Sequence, residues 1–191
     1  CARGGILKNG LAFQNCEVAV VTNVAADHIG LGGINTVEAM AKVKAVVPET
    51  VFPHGYAVLN ADDDRVYKMK DDLKCNIALF SMDENNPRIK EHAAKNGLSC
   101  VYENGFVTIM KGNWKIRVLQ AKDIPLTYEA KAVHNINNCL PAVLAAYLFR
   151  DITIDDIKTG LQTFIPSESL TPGRLNFFQF KNFTMLADFA H

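Results

Sequence analysis

Apolar and polar residues fall in blocks along the first hundred positions, and block length separates strands from helices. Residues 17–23 (EVAVVTN) and 55–60 (GYAVLN) are short apolar runs closed by polar residues, the pattern of strands buried on both faces. Between them, residues 36–47 (TVEAMAKVKAVV) set Val37, Met40, Ala41, Val43 and Val47 on one helical face. Thr36 is the expected N-cap, Glu38 lies in the first turn and Pro48 closes the helix. Strand, loop, helix and strand in this order make a parallel crossover unit. Residues 64–70 predict a further helix, 75–82 (CNIALFSM) a strand, and 86–97 (NPRIKEHAAKNG) a helix stopped by Gly97.

The texture then changes. Residues 99–110 and 114–121 are short β runs joined by Asn104-Gly105 and Gly112-Asn113, which are hairpin signals, so the sheet ends in an antiparallel portion. Residues 135–149 and 153–164 read as a helix pair, with Pro141 in the first turn of one and Thr153 and Asp156 as a capping box on the other. After residues 166–174 (PSESLTPGR), residues 175–180 and 183–190 form a hairpin-like pair of strands around Lys181-Asn182. Residues 166–173 read as a boundary, giving a domain over 1–166 and a linker plus a short β segment over 167–191. The expected class is α/β, a mostly parallel sheet flanked by helices with an antiparallel portion. There is no internal repeat and no low-complexity stretch.

Charge narrows the chemistry. Lys and Arg number 20 and Asp and Glu 20, so no basic field favours nucleic acid or an anionic membrane, and a small-molecule site is expected. No apolar run reaches the roughly 20 residues that span a bilayer, and no charged-then-apolar leader opens the chain. The expected setting is soluble and cytoplasmic. Five cysteines (Cys1, Cys16, Cys75, Cys100, Cys139) are widely spaced, which suits buried free thiols rather than a zinc site.

Several positions carry possible chemistry beside a simpler role. Gly5 and Gly10 have phosphate-loop spacing, but Leu11-Ala12 stand where Lys-Ser/Thr is needed, so a turn leading into the first strand is expected. Asn23 and the pair Asp27-His28 lie at a strand exit, where imidazole and carboxylate could meet a divalent ion or merely cap. Lys44, unlike Lys42, continues the Met40-Ala41 stripe by one turn and points back toward that loop. Asp62, Asp63 and Asp64 suit a helix N-cap first and a metal second. Asn135 and Asn138 are three apart on an incipient helix, able to face a purine edge or to cap. Arg174, Asp188 and His191 stand at strand ends near the boundary, where ligands commonly sit.

In order, TNVAADH, TVEAMAKVK, NADD, HNINN, PGR and DFAH resemble the Mur ligase superfamily over nearly the whole chain. Within it, ARGGILKNGLAF, VTNVAADHIGLGGI, GYAVLNADD and TPGRLNFF look like the cyanophycin-synthesising branch more than the muramyl-peptide or folylpolyglutamate ligases. The resemblance implies a Mur ligase central domain followed by the first strands of a C-terminal Rossmann-like domain. It also implies that the family's phosphate loop and magnesium-binding glutamate precede Cys1, so that this stretch alone is inactive.

Carried over by position, the resemblance implies ATP and Mg2+ as cofactors. His28 becomes a magnesium ligand, with Asn23 and Asp27 lining the same loop beside the ATP site as cofactor-binding residues. Lys44, eight residues after Thr36, becomes the carbamylated lysine, a second metal ligand and with His28 the catalytic pair. Asn138 meets adenine, His134 and Asn135 shape that wall, and Arg174, Asp188 and His191 reach the nucleotide from the next domain. The implied reaction is amide formation through an acyl phosphate, with an aspartate carboxylate of a peptide polymer as acceptor and arginine as amine. No nucleic acid and no membrane are expected as partners, and a homo-oligomer is compatible. A non-catalytic scaffold relative is the alternative from a different class.

Overall fold

The computed structural model describes residues 1, 3–26, 30 and 32–189. Asp27, His28 and His191 lie outside these residues. One six-stranded sheet has its strands in chain order. β1 (Cys16–Val21), β2 (Val51–Asn60), β3 (Asn76–Ser81) and β4 (Leu98–Glu103) run parallel, and β5 (Phe106–Lys111) and β6 (Trp114–Gln120) continue antiparallel. A separate antiparallel pair, β7 (Asn176–Gln179) and β8 (Thr184–Ala187), follows.

Alternation along β2 and β3 divides the core into two layers. Ala57, Leu59 and Leu79 pack with Met40, Val66 and Ile89 from α2 (Val37–Glu49), α3 (Asp64–Lys68) and α4 (Pro87–Ala94). Val58, Ala78 and Phe80 face the opposite layer, formed by Cys139, Leu140, Val143 and Leu144 of α5 (Val133–Tyr147) and Ile157 of α6 (Ile154–Thr163). Burying each large side chain contributes roughly 1.5–3 kcal/mol, which is why both faces of these strands are apolar.

Local rules explain most element ends. Thr153 and Asp156 form the expected capping box on α6. Asn104 and Gly105, at φ 49° and 84°, make the tight turn between β4 and β5. β2 begins at Val51, earlier than expected, because Gly55 admits β1: a Cβ there would lie 2.3 Å from the Glu17 oxygen.

Other expectations are corrected. Residues 3–9 form a helix, α1 (Arg3–Asn9), whose Gly10 N–H donates to Ile6 O at 3.0 Å, not an open turn. α4 is closed by Asn96, at φ 59°; Gly97 is needed instead because a Cβ would strike the His92 ring. α2 runs one residue past Pro48, and its buried stripe is Val37, Met40, Ala41 and Ala45, with Val43 and Val47 beside it. Pro141 lies in the interior of α5 rather than in its first turn, because the helix begins at Val133. A mid-helix proline costs about 3 kcal/mol in isolation; here its buried ring packs into the α5 layer, and the missing N–H leaves the Asn137 carbonyl without its helical donor. Of the cysteines only Cys100 and Cys139 are buried; Cys16 and Cys75 are half-buried, Cys1 is exposed, and all are free thiols.

Candidate functional site

Two groups of residues converge, one at the carboxyl ends of the parallel strands and one where α5 meets the segment after residue 166. In open α/β sheets the carboxyl ends are where ligands bind, since the strands stop there and backbone groups face outward.

At the first, Lys44 on α2 donates from Nζ to the Asn23 carbonyl at 2.7 Å. Both residues line a cleft of about 170 Å³ with Thr22, Val47 and Cys1. Two further bonds pin the same loop. Buried Asn60, at the end of β2, donates from Nδ2 to Thr22 O at 2.7 Å, and the Val24 N–H donates to Asp63 Oδ2 at 2.7 Å. Asp63 also caps α3 by accepting from the Arg65 and Val66 N–H groups. Asp62 accepts from Ser81 Oγ, Asn86 Nδ2 and the Met82 N–H at 2.5, 2.8 and 2.7 Å, and Asp64 pairs with Arg88. The three acids are thus spent on caps and loop ties. Among the described residues no three His, Cys, Asp or Glu side chains gather as a metal site. Asp27 and His28, the expected partners of Lys44, lie outside the described residues.

At the second, a pocket of about 450 Å³ is lined by His134, Asn135 and Asn138 of α5 and by Arg174 and Asp188. Of the six described residues assigned to the nucleotide from sequence, this cavity collects five; the sixth, Asn23, lines the first cleft instead. His134 and Asn138 are exposed to it. Asn135 uses Nδ2 to hold Leu126 O at 2.8 Å, so its role there includes shaping the wall. Arg174 donates from Nη1 to Phe189 O at 3.3 Å, and Asp188 accepts from the Leu175 N–H at 3.1 Å.

Sequence reasoning missed how this pocket is held open. Tyr128, Glu129 and Ala130 are all left-handed, at φ 51°, 58° and 63°, without a glycine among them. Such backbone costs of order 1–3 kcal/mol per residue and persists only where surroundings enforce it. Buried Thr127 enforces it: its Oγ1 lies 2.5 Å from Ala121 O and 2.9 Å from Ile124 O and accepts from the Ala130 N–H at 3.1 Å. The turn delivers Tyr128 to the pocket wall, where partial burial raises its hydroxyl pKa, keeping it protonated to donate to Leu175 O at 2.7 Å. Buried Asn176 was also missed; it accepts from Gly173 N and donates to Thr171 O and Arg174 O, fixing the turn that carries Arg174. No helix among the described residues is long and apolar enough to cross a membrane.

The chain is similar to several known proteins. Cyanophycin synthetase of Geminocystis herdmanii is 51% identical over the whole chain, and that of Synechocystis sp. is 50% identical over 190 residues. The chain spans 22% of the length of each. UDP-N-acetylmuramate--L-alanine ligase of Acetivibrio thermocellus is 34% identical over 77% of the chain and 29% of its own length. Among solved structures, MurF from Acinetobacter baumannii superposes with a TM-score of 0.60 at 19% identity, covering 90% of this chain and 33% of that one, which shows a shared fold. The Mur ligase middle domain family matches residues 4–146, from α1 into α5 and across the whole six-stranded sheet, and the chain belongs to that family.

Proposed function

We propose that the chain is the nucleotide-handling part of an ATP-dependent amide-forming ligase, and that the ligase makes cyanophycin by joining arginine to aspartate side chains of the polymer. Residues 1–166 would be the middle domain, and 167–191 the linker and opening strands of the next, working in the cytoplasm. The observation that carries the reading is the gathering of His134, Asn135, Asn138, Arg174 and Asp188 around one pocket large enough for a base and ribose. The 51% identity to a cyanophycin synthetase supports the choice of branch.

In this reading Asn138 offers its amide to the adenine edge, His134 and Asn135 form the wall beside it, and Arg174 and Asp188, with His191 beyond them, reach the ribose and phosphates. Lys44 and the Asn23 loop, with Asp27 and His28, attend the reacting end. Lys44 suits the carbamate assignment, because a carbamylated amine keeps one N–H and that N–H can retain the bond to Asn23 O. Magnesium held by that carbamate and by His28 would supply charge neutralisation for the transferring phosphoryl group. The chain's own contribution is positioning: Asn60, Asp63 and Lys44 hold the loop in one geometry before substrate arrives.

The test is ATP-dependent incorporation of arginine into an aspartate polymer by the full-length ligase and its Lys44→Ala variant. Arginine incorporation that depends on Lys44 is expected. Incorporation of alanine onto a muramyl acceptor instead would move the assignment to the cell-wall branch, and a full-length protein inert with every acceptor would indicate a scaffold.

A further inference from the structure

Beside the pocket that holds Asn138 lies a second cavity, of about 260 Å³. Its walls come from Ile124 and Leu126 before α5, from Cys139 and Ala142 on α5, from Gly160 and Leu161 on α6, and from Phe164 just after it. Leu126, Asn138 and Phe164 line both cavities, so the two meet at the Asn138 side chain. Apart from that amide the lining is hydrocarbon, aromatic and one thiol. Cys139 is 2% exposed, and burial pushes its thiol up to about 11, so it stays uncharged. A phosphate, carboxylate or ammonium group entering here would lose hydration without recovering partners. An apolar ring would not, and the volume exceeds the roughly 150 Å³ that holds benzene in a closed apolar cavity, although here Ala142, Gly160 and Phe164 leave the rim exposed.

Gly160 gives the cavity its second distinguishing feature. It stands in the interior of α6, where glycine is less favourable than alanine. Its φ is not left-handed, and a Cβ built on it would meet nothing within 4 Å. Neither backbone conformation nor close packing calls for glycine at this exposed position on the cavity rim.

We propose that this cavity is a binding site for a small apolar group, adjoining the nucleotide pocket and receiving a ring or short alkyl group carried on the edge of a base held at Asn138. The connection to the base rests on the reading of the larger pocket given above; the apolar site itself does not. Benzene tests the site alone, and adenosine against N6-benzyladenosine tests the connection, both by methyl NMR of the 191-residue chain. Benzene is expected to shift the methyl signals of Leu126, Ala142 and Leu161, and Gly160→Leu to abolish those shifts while adenosine binding is kept. N6-benzyladenosine is expected to bind wild type at least tenfold more tightly than adenosine and to lose that advantage in Gly160→Leu. Ala142→Leu fills the cavity from the facing helix and should act alike, which guards against a variant that fails to fold. Unchanged methyl signals with benzene, or benzene shifts that persist in both filled variants, would overturn the site. Benzene binding without any gain from the benzyl group on a bound nucleoside would overturn the connection. If benzene binds and neither nucleoside does, the site stands and the reading of the larger pocket as a base site falls.

Discussion

The Tyr128 hydroxyl donates to the backbone oxygen of Leu175 at 2.7 Å, joining a left-handed turn before α5 to the segment that leads into β7. The same ring packs against Phe177, with centroids 5.2 Å apart. Removing only the hydroxyl should loosen this tie without emptying the space. Tyr128→Phe is expected to cost about 1 kcal/mol locally, seen as faster amide exchange in residues 175–187 with little change in the six-stranded sheet. Equal acceleration in both would show that the tie is not local.

Lys44 separates stability from chemistry. Its bond to Asn23 is exposed, so Lys44→Ala should lower the unfolding free energy of the chain by no more than about 1.5 kcal/mol in urea titration. The same change in the full-length ligase should reduce turnover about a hundredfold or more if the side chain stabilises transferring charge. Turnover within threefold of wild type would remove Lys44 from the reacting centre.

Glu103 is buried at the end of β4 with Lys115 Nζ at 2.5 Å and Arg117 Nε at 3.4 Å. Lys115 first, and Arg117 after it, hold its carboxyl below the usual carboxylate range. A depressed folded pKa means stability present above the unfolded value near 4.5 and lost as pH falls through the folded value. Glu103→Gln should therefore destabilise the chain by about 1–3 kcal/mol at pH 7. The gap between variant and wild type should shrink below about pH 4.5, measured as urea midpoints across pH.

His92 works in the opposite charge sense. Burial lowers its pKa and outweighs the Leu98 carbonyl near Nε2, which favours the charged ring, so the folded state prefers the neutral ring. Between the folded value and the unfolded value of about 6.5 the unfolded chain binds more protons, and stability falls as pH drops through that window. His92→Gln should flatten this part of the pH dependence, whatever its effect at pH 8. A slope that survives the substitution would place the proton elsewhere.

Gly160→Ala should stabilise the chain by about 0.5–1 kcal/mol, since the helix gains and the new methyl meets open space. Thermal unfolding is the readout, and a lower midpoint would mean that α6 needs glycine for a contact the fold does not show.

The alternating units were readable because each strand is buried on both faces and each helix on one, so hydrophobic period and burial coincide. The turns at Gly105 and the cap at Thr153 were readable because local chemistry alone decides them. Pro141 misled because local rules place proline at a helix start, while the packing of α5 against the sheet outweighs the lost bond. Nothing local in Tyr128-Glu129-Ala130 marks a left-handed run; it is imposed by Thr127, and by Asn135 nine residues beyond Leu126. The grouping of Asn138 with Arg174 and Asp188 followed from resemblance, because residues this distant are joined only by the tertiary fold.

The two interior prolines bear on how the site-bearing helices deform. Pro48 follows Lys44 by four residues on α2, and Pro141 follows Asn137, the neighbour of Asn138, by four on α5. At each place the helix lacks the N–H that would tie that carbonyl, so tilting the turn that carries Lys44 or Asn138 sacrifices one hydrogen bond fewer than elsewhere. On α5 this puts the softest turn in the helix interior beside Asn138; on α2, which ends one residue after Pro48, it loosens the last turn, the one that carries Lys44.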